Sequence, residues 1–450
     1  MNARPTDRLA IAIGQLNPTV GDIAGNGDKA RRARAEAARS GADIVALPEL
    51  FLSGYPPEDL VLKPAFQAAC RAKVEELARE TAGGGPALLI GTPWLEESKV
   101  YNAYCLLDRG VIAAVRLKVN LPNYGVFDER RVFAPGPPRG PVNFRGVRIG
   151  IPICEDIWTE WGDYEDVVEC LAETGAELMI VPNGSPYWRD KEDVRLNLAV
   201  ARVTESGVPL IYINQVGGQD ELVFDGASFG LNADRALAFQ LPAFREVVRT
   251  VRWERSGNGW RCVDGVIVPV EEGDKADYFA CTLGLRDYVN KNGFKGVVLG
   301  LSGGVDSALV AAVAVDALGA DRVRCVMLPY RYTSQQSLDD AAQVAKALGV
   351  PYDVLDQILE RLVEREEPIA KIVADGFDRE TVVKVERMLN LAEYKRRQAA
   401  PGVKVTLKNF GRDRRYPITN KFRDDGRPQA KPDDTLISRG ASGSAEAFDG

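Results

Sequence analysis

Gly150-Ile151-Pro152-Ile153-Cys154-Glu155-Asp156-Ile157-Trp158 is the stretch on which the reading of this chain turns. The apolar run from Val147 to Ile153 reads as a buried strand. It stops at a cysteine followed by two acids and a tryptophan. A cysteine at a strand end can be held toward a pocket from a rigid support, which is where α/β sheets place their chemistry. Taken alone, the same cysteine reads more simply as an inert core thiol, because free cysteine is among the most buried residue types.

The surrounding chain repeats strand and helix. Residues 8–15 form an apolar strand. Residues 28–40 have helical character, with Asn26 ahead of them as a cap and Gly41 just past the end. Residues 42–50 (ADIVALPEL) return to strand and end on Glu49. Helices follow at 66–80, 163–174 and 190–206, and strands at 87–91, near 100–117, and at 147–153, 177–182 and 208–213. This is the rhythm of an α/β fold. After residue 220 the strands become antiparallel in style. Residues 253–276, with Gly257, Gly259, Pro269 and an acidic run, read as a crossing segment between a first domain (1–252) and a second (277–424). Residues 425–450 have no periodicity and read as a disordered tail.

Composition narrows the chemistry. The chain has 450 residues, 45% of them hydrophobic, enough for two or three cores. A net charge of -7 argues against a nucleic-acid or membrane-surface protein, and no apolar run is long enough for a signal peptide or a membrane span. Seven cysteines, at 70, 105, 154, 170, 262, 281 and 325, never form a CxxC pair, which suits a reducing cytoplasm. The histidine count is 0, so neither a Ser-His-Asp triad nor a Cys-His pair can exist. An activated cysteine here must be served by a carboxylate or a lysine.

Two further strand ends supply those groups. Glu49 follows Leu47-Pro48, and burial would fit its carboxylate to accept a proton. Lys118 closes the strand VIAAVRLK, and an ammonium near a thiol can stabilise an oxyanion. Taken alone, Glu49 also reads as half of a surface salt bridge and Lys118 as a solvated strand end.

Glu49, Lys118 and Cys154 together resemble the Glu-Lys-Cys triad of the nitrilase, or carbon–nitrogen hydrolase, superfamily. LPNYGVFDERRVF (121–133) and NGSPY (183–187) are similar to the glutamine amidohydrolase domain of glutamine-dependent NAD synthetases. Where that family commonly has histidine after the lysine, this chain has Val119-Asn120. The resemblance implies attack of Cys154 on glutamine, with Glu49 as base and Lys118 and the Glu155 N–H as oxyanion partners. It implies that Tyr124, Glu155, Ser185 and Lys191 hold the glutamine, and that Glu129 orients the triad. It also implies a homo-oligomer, since nitrilase domains generally pair face to face.

In the second domain, Ser302-Gly303-Gly304-Val305-Asp306-Ser307-Ala308-Leu309 stands between a strand and a helix. A glycine-rich turn there aims backbone N–H groups and the helix dipole at an anion. The stretch resembles the pyrophosphate loop of ATP pyrophosphatases that form adenylates. The resemblance implies ATP and Mg2+, with Ser302, Gly303, Gly304, Asp306 and Ser307 at the phosphates. Asp306 would also meet the metal, and Met327, Tyr332 and Ser334 would lie on the adenine side.

The family's pattern then breaks. An SRxR-type helix, a GNKSE-type loop and a lysine-bearing segment are absent, with a junction near Pro351-Tyr352-Asp353. Only two parallel strands, 296–301 and 323–328, read clearly in this domain. The expected architecture is a nitrilase-type α-β-β-α sandwich followed by a truncated Rossmann-like ATP-pyrophosphatase domain. Arg412-Asp413-Arg414-Arg415 reads as a phosphate contact or as a solvated segment. The resemblance implies transfer of ammonia from glutamine to nicotinic acid adenine dinucleotide, giving NAD, AMP and pyrophosphate. The rival reading is a glutaminase whose second domain is vestigial. Because the absent segment would carry groups needed for adenylation, glutamine hydrolysis is expected to be intact and NAD formation slight.

Overall fold

A computed structural model describes residues 6–158, 164–257, 259–327, 334–353, 361–362, 367–396, 417, 419–422 and 433–436. The chain forms two compact units, Met1–Lys291 with Arg415–Gly450, and Asn292–Arg414.

The first unit opens with β1 (Arg8–Gln15), α1 (Ile23–Arg39), β2 (Ile44–Ala46), α2 (Pro64–Glu80), β3 (Ala87–Glu96), β4 (Lys99–Asp108) and β5 (Val111–Leu117). It continues with β6 (Val142–Phe144), β7 (Val147–Gly150), α3 (Val167–Glu173), β8 (Leu178–Asn183), α4 (Lys191–Ser206) and β9 (Leu210–Asn214). A hairpin of β10 (Val216–Gln219) and β11 (Leu222–Asp225) precedes β12 (Phe229–Leu231), β13 (Leu237–Gln240), β14 (Val247–Ser256) and β15 (Gly259–Cys262). Helix α5 (Gly273–Lys291) closes the unit's continuous part. The strands assemble as two sheets, ordered β15-β14-β1-β2-β3-β4-β5 and β13-β12-β9-β8-β7-β6.

Alternation along these strands explains the layers. Leu9, Ile11 and Ile13 of β1 face the same core as Leu178 and Ile180 of β8, so the two sheets pack against each other. The opposite face of the first sheet, with Ala12, Val45, Leu88 and Ile90, packs on α1 and α2. Met179 and Val181 of β8 face α3 and α4. Two sheets buried on both faces between helix pairs make the α-β-β-α sandwich. This is why strands such as 44–47 read as unbroken apolar runs.

Several local expectations change. Helix α1 begins earlier than the sequence suggests, at Ile23, because the Asp22 carboxylate caps it by accepting from the Gly25 N–H. Asn26 is therefore not a cap. It is buried inside the first turns, where its amide bonds to the Thr19 and Leu52 carbonyls. Within the segment read as a crossing, residues of β14 and β15 pair antiparallel at the sheet edge. Helix α5 is held in the first unit, since Asp287 accepts from Asn17 Nδ2 (2.6 Å) and from the Gly218 N–H (2.6 Å). The unit boundary thus falls later in the chain than the domain start read near Asp277. In the stretch read as a disordered tail, Asp434–Leu436 form a turn, and the Asp433 N–H bonds to Glu75 (2.9 Å).

The second unit contains β16 (Val297–Gly300), α6 (Val305–Leu318), β17 (Val323–Val326), α7 (Gln335–Leu348), β18 (Tyr352–Asp353), α8 (Ile369–Ala374) and α9 (Arg379–Arg396). Its sheet is parallel, with order β16-β17-β18. It therefore has a third strand that the sequence reading missed, because two residues are too few to show a pattern. Among the described residues no helix is long and apolar enough to cross a membrane.

One close approach sets how β3 runs past the turn that carries Glu49. A Cβ on Gly91 of β3 would stand 2.2 Å from the Leu50 backbone nitrogen, so this strand can pass the end of β2 only as glycine. Gly91→Ala should lower stability by about 1–3 kcal/mol. Gly83→Ala, at a position with nothing within 4 Å, should be near neutral. Urea unfolding of the two variants checks this, and equal midpoints would contradict it.

Candidate active site

Glu49 stands just beyond the end of β2, fully buried, on a turn whose next residue, Leu50, has a positive φ of 45°. One carboxylate oxygen accepts from Lys118 Nζ (2.7 Å) and Asn102 Nδ2 (2.7 Å). The other accepts from the Gly184 N–H (2.8 Å). Three donors, one on β4 and two just past the ends of β5 and β8, fix its plane.

Lys118 comes just after β5, also fully buried, with its N–H on the Asn102 carbonyl (2.8 Å). Its ammonium donates to Glu49 and to Glu129 (2.9 Å). Burial alone would lower its pKa, but the carboxylates of Glu129 and Glu49 outweigh that and hold it well above the ordinary lysine value. Glu129 also accepts from the Tyr55 hydroxyl (2.9 Å). Burial pushes the Glu129 carboxyl upward, against the pull of Lys118 and with the push of Glu49. Two buried acids thus share one ammonium.

Cys154 opens a short turn after β7, buried, with a positive φ of 47°. A non-glycine residue in this region is strained and is characteristic of sites where a side chain must be aimed. The strain is held by Asp156. One of its oxygens accepts from the Val119 N–H (3.0 Å) and the Asn120 N–H (2.7 Å), and the other from the Ile153 N–H (2.9 Å). The residue two after the cysteine thereby clamps the two residues after the lysine. Burial, and then Glu49, push the Cys154 thiol far up, while Lys118 pulls it down. The resting group is a thiol, which needs a base to become a nucleophile.

The remaining first-unit candidates lie around this centre. The Tyr124 hydroxyl donates to the Glu155 carboxylate (3.0 Å), and burial raises the pKa of Glu155. Ser185 is buried, with its N–H on Asn214 Oδ1 (3.0 Å). Lys191, first residue of α4, lies over the Trp158 and Trp188 rings (4.6 and 5.0 Å). Burial and then Arg195 lower its pKa. Lys191 also lines an open cavity with Tyr187, Glu192, Asp225, Phe244 and Glu272.

Sequence reasoning did not find Asn102, Gly184 or Asp156. Asn102 carried a usable signal, as an amide in the middle of the apolar strand VYNAYCLL. Gly184 carried none, because its role is a backbone N–H brought to Glu49 from 135 positions away.

In the second unit Ser302, Gly303 and Gly304 form the turn between β16 and α6, with Asp306 and Ser307 in the helix's first turn. Gly303 has a φ of +78°, and a Cβ there would meet the Ser337 carbonyl oxygen at 2.3 Å. The Ser302 N–H donates to Ser307 Oγ (3.1 Å), which folds the turn over the helix start. No side chain caps α6. Met327 is buried at the end of β17. Ser334 is the N-cap of α7, accepting from the Ser337 N–H (3.1 Å). Tyr332 and the basic run at 412–415 lie outside the described residues.

The fold and this site define a carbon–nitrogen hydrolase joined to an NAD synthase unit. The carbon-nitrogen hydrolase family model matches residues 10–256, and the NAD synthase family model matches residues 278–351 and 345–399. The chain belongs to the glutamine-dependent NAD(+) synthetases. It is 40% identical to that enzyme from Rhodobacter capsulatus, over 93% of this chain and all of the relative. It is 35% identical to that of Xanthomonas campestris, over 92% of this chain and 98% of the relative. The solved structure of the Acinetobacter baumannii enzyme in complex with ADP matches with a TM-score of 0.76 at 30% identity, covering 92% of this chain and 99% of that one. The alignment with the Rhodobacter protein runs over 555 positions, more than this chain's 450 residues, so the relative carries residues with no counterpart here. The NAD synthase match divides at 345–351, next to the junction read from the sequence.

The crowded acids give a pH test. Because Glu129 is raised in the folded state, its contribution to stability is complete below the ordinary glutamate pKa. It is lost as pH rises through the folded value of about 7. From about pH 5 to about pH 8 the wild type should therefore lose stability relative to Glu129→Gln. Urea unfolding at both pH values measures it, and a margin that is constant or moves the other way would contradict the crowding.

Proposed function

We propose that this chain catalyses glutamine-dependent NAD synthesis. The first unit hydrolyses glutamine, and the second uses the ammonia for ATP-dependent amidation of nicotinic acid adenine dinucleotide, with release of AMP and pyrophosphate. In sequence terms the amidohydrolase part would run over 1–252 and the synthetase part over 277–424, with helix α5 of the latter packed in the first unit. The observation that carries the reading is the fully buried Glu49–Lys118 pair beside a strained, buried Cys154.

The chemistry follows from the resting charges. Glu49 takes the proton of the Cys154 thiol as sulfur bonds to the side-chain amide carbon of glutamine. The carbonyl electrons move onto oxygen, where Lys118 and the Glu155 N–H meet the charge. Glu49 returns the proton to nitrogen, the C–N bond breaks, and ammonia leaves a thioester. Water, deprotonated by Glu49, then breaks the C–S bond and releases glutamate. Tyr124, Glu155, Ser185 and Lys191 hold the amino acid, and Glu129 keeps Lys118 in place.

In the second unit the uncapped start of α6, with Gly303 packed too closely for any side chain, suits a triphosphate. Mg2+ would enter with the phosphates, and Asp306 would supply a protein oxygen. Among the described residues no group of three or more metal-binding side chains exists to hold an ion alone. ATP supplies the activation that lets ammonia displace a carboxylate oxygen. Ser302, Gly304 and Ser307 would orient its phosphates, with Met327, Tyr332 and Ser334 on the adenine side.

Cys154→Ala should abolish ammonia release from glutamine, and Cys170→Ala should leave it unchanged. Lys118→Ala should lose ~10²-fold or more in kcat. Undiminished turnover in Cys154→Ala would overturn the assignment. The interrupted NAD synthase match favours one refinement, that ammonia release outruns ligation. With ATP, Mg2+ and nicotinic acid adenine dinucleotide present, ammonia should then exceed AMP. Equal yields of the two would show that the remaining residues supply a complete ligation site.

A further inference from the structure

The turn that carries Gly184 and Ser185 is held by a buried ion pair that the hydrolytic chemistry does not use. Arg195, in the second turn of α4, is 2% exposed, and Asp225, at the end of β11, is 4% exposed. Arg195 Nη1 donates to both oxygens of Asp225 (2.9 and 2.7 Å). Its Nε donates to Ser185 Oγ (3.0 Å), and its Nη2 to the carbonyls of Ser185 (2.8 Å) and Pro186 (3.1 Å). Every nitrogen of the guanidinium is engaged, three of the five bonds going to this one turn. Asn214 adds a bond to the Ser185 N–H and one to its carbonyl (both 3.0 Å). The turn also packs closely on Tyr55, since a Cβ on Gly184 would stand 2.7 Å from its ring.

We infer that Arg195, set by Asp225, is a positioning residue for glutamine hydrolysis: it locks the Gly184–Pro186 turn so that the Gly184 N–H fixes Glu49. The inference rests on the proposed glutaminase function. The route is short. Arg195 fixes the carbonyls on one side of the turn, and the N–H on the other side reaches the base at 2.8 Å. A loosened turn frees one oxygen of Glu49 to rotate, and small misplacements of a reacting group cost large factors in rate. A lysine keeps the charge opposite Asp225 but lacks the planar fork that spans Ser185 and Pro186.

The test separates positioning from plain stability. Arg195→Lys removes the fork and keeps the charge. Arg195→Met/Asp225→Leu replaces the whole pair by apolar volume, which avoids leaving either charge buried alone. Ammonia release from glutamine is measured for wild type and both variants, with melting curves alongside. The expected result is a fall in kcat of ~10²-fold in both, larger than any rise in KM because Ser185 also meets the glutamine, with melting temperatures close to wild type. If the double variant does not fold, Arg195→Lys decides alone. A kcat within about threefold of wild type, or a loss carried mainly by KM, overturns the inference. An inactive wild type would instead overturn the proposed function, so the two failures are distinguishable.

Discussion

The structure of the first unit depends on placing one ammonium, Lys118, between two carboxylates where no solvent reaches. Glu49 and Lys118 have side chains with 0% exposure, and Glu129 has 6%. Taking these charges out of water is costly, and their mutual attraction compensates only if each remaining lone pair finds a donor. Asn102, Tyr55 and the Gly184 N–H are those donors. They are brought together by strand β4 and by the chain just past the ends of β2, β5 and β8 in the two packed sheets. A surface version of the same three residues would neither hold its geometry nor leave a carboxylate with so little freedom.

Backbone devices complete what the side chains begin. Gly91 lets β3 pass under the turn of Glu49, and Gly184 lets the turn after β8 approach the Tyr55 ring. Asp156 joins the cysteine turn to the chain after Lys118 through three backbone N–H groups. Burial keeps Cys154 protonated, so its reactivity waits on a base. That arrangement suits a chain without histidine. In the proposed reaction proton transfer would fall to Glu49, a carboxylate whose three hydrogen-bond donors fix its direction.

The three candidates were legible because each stands where an apolar strand ends, two of them as charges that burial there makes expensive. The α/β rhythm was legible from the alternation of strands and helices, and the sandwich from the family resemblance. What escaped were contacts set by register between distant segments. Gly184 and Glu49 are one example, and Arg195 with Asp225 another. Arg195 shares the buried face of α4 with Leu198, Ala199, Arg202 and Val203, but its partner Asp225 lies thirty positions on and is set by the fold alone. The capping error at Asn26 has the same origin, since its amide serves Thr19 and Leu52 inside the fold instead of the helix end. In the second unit, β18 was too short to register. The break in family pattern near Pro351 was visible, because motifs are read by their order and not by their contacts.

The account stands most directly on a covalent bond between glutamine's acyl carbon and Cys154, made with Glu49 as base. Peptide mapping by mass spectrometry, after incubation with an electrophilic glutamine analogue, observes that bond. The account predicts an adduct on Cys154 alone among the seven cysteines, formed in step with loss of ammonia release and strongly slowed in Glu49→Gln. Full inactivation with the label on another cysteine, or labelling of Cys154 at an unchanged rate in Glu49→Gln, would contradict it.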